Sequence, residues 1–143
     1  MKLPAKVIYA CRAITELALR YETKEPVQLQ VIAEAQKIPK KFLVQLFIRL
    51  RNAGIVSSMR GVSGGYNLAK NPVQLCVADV VKAMDDTLIV AENHDTKREK
   101  PNVDRLLFGV WSDINQGIIQ RLEKITFDSI VTQLKNEELT YFI

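Results

Sequence analysis

Residues 39 to 70, PKKFLVQLFIRLRNAGIVSSMRGVSGGYNLAK, constrain the fold more than any other stretch of the chain. At 100° per residue, Leu43, Leu46, Phe47 and Leu50 share one side of a helix, while Lys41, Val44, Gln45 and Ile48 gather on the other. The first side has the spacing of a core face, and the second is free to touch something. Gly54 follows as a helix stop. Residues 55–60 and 66–68 then read as two extended runs joined by Gly61-Val62-Ser63-Gly64-Gly65. A basic helix leading directly into a glycine-rich hairpin predicts a mainly α domain with a two-stranded β-wing.

The flanking segments supply the rest of that domain. Val7, Cys11, Ile14, Ala18 and Tyr21, with Ile8 and Leu17 beside them, have helical spacing over residues 4–21. Val27 and Leu29 suggest a short extended piece. A brief helix over 29–36 then turns Ile32 and Ala33 inward. Lys37-Ile38-Pro39 turns the chain, and proline suits the first turn of the helix that follows. Two short helices across a three-residue turn, the second one basic, are helix-turn-helix grammar. After the breaker Asn71-Pro72, the spacing of Val77, Val80, Val81 and Met84 predicts a fourth helix. Asp79 stands three residues after Cys76, where a capping box places its acid.

Beyond residue 84 the pattern changes. Residues 85–102 are polar and aperiodic, which predicts a loop. From Asp104 to about Lys124 a long helix carries Leu107, Trp111, Ile114, Ile118, Leu122 and Ile125 in one seam, about 27 Å long. An apolar seam of that length needs a partner, and the expectation is its own copy in a homodimer. A short helix over 127–134 closes the chain, with fraying beyond it. The expected organisation is a winged helix-turn-helix domain over 1–84, a polar loop over 85–103, and a dimerisation helix with its tail over 104–143.

Charge narrows the choice of partner. Residues 1–72 hold 12 Lys and Arg against 4 Asp and Glu, a balance of +8, whereas residues 73–143 hold 8 against 12, a balance of −4. The basic half contains the helix and hairpin, as a nucleic-acid surface requires. Lys40, Lys41, Arg49 and Arg51 supply charge for phosphates. Gln45 can pair bidentately with adenine, and Val44 and Ile48 can pack on thymine methyls. Phe42 beside them, and Arg60, Ser63, Gly64, Gly65 and Tyr66 in the wing, complete a candidate surface for double-stranded DNA. The glycines would let backbone approach a phosphate or groove wall, and Arg60 suits a minor-groove or phosphate contact. The same apolar face could instead be covered by protein, as in an interaction module that uses this fold without DNA.

Other classes fare worse. One histidine and two distant cysteines, with no motif joining nucleophile, base and oxyanion donors, argue against an enzyme. The hairpin lacks the GKS or GKT of a nucleotide loop. No run approaches the roughly 18 apolar residues of a membrane span, and the first twenty residues lack the order of a secretory signal. A cytoplasmic protein without disulfides is expected, Cys11 and Cys76 forming no framework.

The residues also resemble a known family. YACRA in the first helix, IAE in the second, FLVQLFIRLRNAGIVSSMRGVSGGYNLA through the third and the wing, then VADVVKAM and the later ITFDSI, look like the Rrf-two family of bacterial winged helix-turn-helix regulators. The resemblance covers nearly the whole chain, and RGxxGGY is its most specific part. It implies a homodimeric transcription regulator, with Arg60 entering DNA and the long helix as the dimer arm. Many relatives ligate an iron-sulfur cluster through three cysteines between the fourth and fifth helices. Residues 87–103 contain none, and His94 alone cannot hold a cluster, so neither cofactor nor metal is expected. Val44 stands where relatives often carry an acid, which implies a different target sequence, and Lys37 stands where glycine is common. A small molecule, a protein partner or a thiol could then carry the signal. Cys11 reads as core. Cys76, at a helix N-cap where the dipole favours thiolate, is the candidate sensor.

Overall fold

The computed structural model describes residues 3–85 and 102–141. In chain order they form α1 (Ala5–Leu19), a single 3-10 turn (Tyr21–Thr23), α2 (Leu29–Gln36), α3 (Lys40–Asn52), β1 (Val56–Met59), β2 (Gly65–Leu68), α4 (Val77–Met84), α5 (Asn102–Lys124) and α6 (Phe127–Tyr141). The mainly helical class with a two-stranded wing is as expected. The loop predicted over 85–102 coincides largely with residues 86–101, which lie outside the described residues together with His94.

α1 begins behind Pro4, whose carbonyl accepts the amides of Val7 and Ile8 at 3.0 and 3.3 Å. Proline is tolerated there because a helix leaves its first amides unpaired. Val7, Ala10, Ile14 and Leu17 form its buried stripe. α2 ends where Lys37 turns left-handed at φ 52°, and the amide of Ile38 returns to the Ala33 carbonyl at 3.0 Å. That conformation costs a side-chain-bearing residue roughly 1–2 kcal/mol, which is why glycine would suit the position. The turn forms with lysine all the same. α3 then buries Leu43, Leu46, Phe47 and Leu50, the face its spacing marked.

Gly54, at φ 73°, ends α3, and the Ile55 amide reaches back to the Leu50 carbonyl at 2.9 Å. The wing is antiparallel, with Val56 opposite Leu68 and Met59 opposite Gly65. Val27 adds a third lane by exchanging hydrogen bonds with Tyr66 at 2.9 and 2.8 Å. The extended piece anticipated at Val27 and Leu29 is thus only Val27, since Leu29 opens α2.

The C-terminal elements depart from expectation. Residues 75–77 pair antiparallel with residues 125–127: the Val77 amide donates to Ile125 at 2.8 Å and the Phe127 amide to Leu75 at 2.9 Å. This clamp splices the α5–α6 junction onto the start of α4. Beyond it, Thr126 caps α6 by accepting the Ser129 amide at 3.1 Å. Phe127 and Val131 are buried in the same core as α1 and α3. α6 therefore supplies side chains to the core that α1 and α3 share. α6 also runs to Tyr141 rather than stopping near Leu134. Its last turns are exposed but built from good helix formers such as Gln133, Leu134, Lys135 and Glu137. Among the described residues, no helix is long and apolar enough to cross a membrane.

Candidate nucleic-acid interface

α3 turns Lys40, Lys41, Phe42, Val44, Gln45, Ile48 and Arg51 outward while its opposite face is buried. Val44 and Ile48 are each 40% exposed, so the apolar side chains available for base edges stand in the open. The Phe42 ring leans on Tyr9 of α1, with centroids 6.5 Å apart. From residue 35 to residue 78 the sequence contains no Asp or Glu and seven Lys or Arg. A polyanion laid along α3 and the wing therefore meets no acidic side chain from those elements.

Four of the expected contact residues also make contacts within the protein. Arg49 donates from Nη1 to the Met84 carbonyl at 2.8 Å. That carbonyl ends α4, where oxygens lack helical donors and the dipole is negative. Arg49 is thus a tie between α3 and α4. Tyr66 packs its ring edge-on against Phe47 with centroids 4.7 Å apart, so it supports α3 from behind. The two wing glycines are required inside the molecule. A Cβ on Gly65 would lie 2.5 Å from the Val27 carbonyl oxygen, and one on Gly64 would lie 2.5 Å from that of Met59. Both glycines thus permit a close approach to the protein's own backbone.

Arg60 and Ser63 are exposed at the wing tip. Between them Val62 is fully exposed, with Met59 exposed at the base. Sequence reasoning passed over both. The available signal was an aliphatic residue inside a glycine-rich turn, where no core can reach it.

On α5, Leu107, Trp111 and Ile114 are exposed and so is Ile125, Trp111 at 62%. Ile118 is half-buried. Leu122 packs on the chain's own core, as does Ile119, because the last turns of α5 lie against α4. The six-residue seam is thus divided, with Leu122 used internally while Leu107, Trp111, Ile114 and Ile125 stay exposed. Val103, Leu106 and Val110 widen the exposed portion; their positions, one turn apart on the same side, were the missed signal.

Cys76 does cap α4, but its surroundings disfavour the thiolate. The Asp79 carboxylate accepts the Cys76 amide at 3.0 Å and the thiol at 3.2 Å. Burial, and then that hydrogen bond to Asp79, push the thiol above its ordinary range. Burial and then the neighbouring carboxylate outweigh the helix dipole, which reverses the expectation of an activated sulfur. Cys11 is pushed up to about 11 by burial. Among the described residues, no group of three or more His, Cys, Asp or Glu could hold a metal ion.

With this geometry in view, the comparisons with known proteins are decisive. The model of the family described as "Rrf2: Iron-dependent Transcriptional regulator" matches residues 3–133. The chain belongs to the Rrf2 family. IscR of Xenorhabdus nematophila, an HTH-type transcriptional regulator, is 36% identical over 140 residues, 97% of this chain and 82% of that relative. Among solved structures, T. potens IscR matches with a TM-score of 0.75 at 29% identity, over 94% of this chain and 88% of that one. CymR of B. subtilis, described as the global cysteine regulator, matches with a TM-score of 0.75 at 26% identity, over 93% and 98%. This Rrf2 chain is a winged helix-turn-helix, DNA-binding transcription regulator, as its wing and third helix suggested.

Proposed function

We propose that this Rrf2 regulator is a homodimeric repressor that reads two-fold related half-sites with α3 and works without an iron-sulfur cluster. The carrying observation is the division of α3 into a buried face and an open one of Lys41, Val44, Gln45 and Ile48. Val44 and Ile48 match thymine methyls and Gln45 matches adenine, which biases reading toward A·T pairs. Lys40, Lys41, Arg51 and Arg60 neutralise phosphates, with Arg60 reaching a groove from the wing. A dimer lying across promoter DNA excludes other proteins from it, so repression is the sign of regulation that follows.

The exposed apolar face of α5 supports pairing with a second copy, because Leu107, Val110, Trp111 and Ile114 together are more apolar surface than a lone helix leaves in water. The donor set supports independence from a cluster. The chain has two cysteines, one half-buried in α1 and one bonded to Asp79, both favoured as thiols, whereas a cluster is held by several thiolates.

Selection from random duplexes tests the proposal. The expected product has A·T-rich half-sites about one DNA turn apart, roughly 34–36 Å. Affinity should fall on the order of a thousandfold between 50 and 200 mM salt if six phosphates are contacted. Arg60→Ala should weaken binding and spare the dimer, while Trp111→Glu should give monomers in sedimentation. G·C-rich half-sites indifferent to Val44→Ser would sink the A·T reading. Salt-insensitive capture of a protein instead of DNA would favour the interaction module.

A further inference from the structure

The turn between α2 and α3 is held from α1 by a polar network whose centre is Gln36. Its side-chain Nε2 donates to Glu16 Oε2 at 2.7 Å, and its Oε1 accepts Arg12 Nε at 3.5 Å. Arg12 also donates to the Gln36 backbone carbonyl. Glu16, the one buried charged residue among those described, is in turn oriented by Arg20 Nε on its Oε1 at 2.9 Å. Past the turn the contact resumes: the Arg12 guanidinium lies 5.9 Å over the Tyr9 ring, and that ring meets Phe42 in the first turn of α3. Between these fastenings lies Lys37 in its left-handed conformation, which relaxes unless both flanks are held.

We infer that Gln36 is a positioning residue for DNA recognition: by bonding Glu16 and Arg12 of α1 it fixes the angle at which α3 is presented to the groove. An apolar contact would allow the turn to slide. A satisfied network of donors and acceptors admits few arrangements and so selects one geometry. Gln36 itself touches no DNA in this scheme. The inference rests on α3 being the reading helix.

A charge swap tests it. Gln36→Glu sets a carboxylate against Glu16 and removes the donor. Glu16→Gln combined with Gln36→Glu restores a donor opposite every acceptor, leaving Arg12 and Arg20 paired. Gln36→Met is a third variant, which removes the bonds without adding charge if Gln36→Glu does not fold. Each is assayed on the selected operator and on a random duplex, below its melting temperature. For either single variant we expect a 10- to 100-fold loss on the operator, little change on random DNA and an unchanged salt slope, since no phosphate contact is lost. The swap should recover operator affinity to within about threefold. A swap that folds but does not recover would overturn the inference, as would equal losses on both DNAs. So would a salt slope lower by about one, which would make Gln36 or Arg12 part of a phosphate contact. If Gln45→Ala left operator choice untouched in the otherwise native protein, the role of α3 would fail first, a result separate from any outcome of the swap.

Discussion

Gly65→Ala should do more harm than substitution of a glycine in an open turn ordinarily would. The added Cβ would lie 2.5, 2.6 and 2.9 Å from the oxygen and carbon of Val27 and the nitrogen of Gln28. All three are backbone atoms, so no side-chain rotation relieves the clash. The wing must part from Val27, breaking the two hydrogen bonds at 2.9 and 2.8 Å, each worth about 1 kcal/mol. Tyr66 moves with the strand and its edge contact on Phe47 loosens, roughly another 1 kcal/mol. The total is about 2–4 kcal/mol. Gly54→Ala is the control: its φ is 73°, but nothing lies within 4 Å of the new methyl, so only the left-handed penalty of about 1–2 kcal/mol applies. Urea unfolding with matched slopes measures both. Because Arg60 rides on the same hairpin, Gly65→Ala should also weaken operator binding under conditions where the variant is fully folded. A Gly65→Ala midpoint at or above that of Gly54→Ala would show that the wing does not depend on Val27.

Two further outcomes follow from burial. Phe127→Ala should lower stability by about 3–5 kcal/mol, whereas Leu139→Ala, on the exposed end of α6, should change it by less than about 0.5 kcal/mol; equal midpoints would detach α6 from the core. Cys11 gives a pH dependence of definite sign. Its thiol ionises near its ordinary 9.0 when unfolded and at about 11 when folded, so the protein holds the extra proton and its stability is complete below pH 9. Stability should then fall between pH 9 and 11 by up to about 3 kcal/mol, and Cys11→Ala should flatten that limb in chemical denaturation. An unchanged limb would mean that Cys11 is solvated.

Where one residue's periodicity decides its environment, the sequence was a sufficient guide. α2 and α4 fall at the residues their spacing marked, and the two faces of α3 divide as drawn, because 3.6-residue periodicity is a local property. What eluded it was partnership across the chain. Arg49 looks like any cation on a basic helix until α4 brings the Met84 carbonyl to it. Gly65 and Tyr66 look like groove-facing wing residues until Val27, about 40 positions earlier, lies alongside. Cys76 shows the limit of local electrostatics: the cap was legible, yet burial and the carboxylate that completes the capping box raise the thiol's pKa instead of lowering it. The pairing of residues 75–77 with 125–127 had no signal at all, since three residues of backbone pairing impose no pattern on side chains.

That clamp, with Phe127 beyond it, also governs the order in which the molecule can be made. α1 leaves the ribosome early, but α6, which covers part of it, follows roughly 110 residues later. At about 5–20 residues per second, the nascent chain waits on the order of 6–20 s with that surface uncovered. The native core therefore closes only after α6 has been made, and a polypeptide released before that would keep its recognition helix and wing but lack the lid over its first helix.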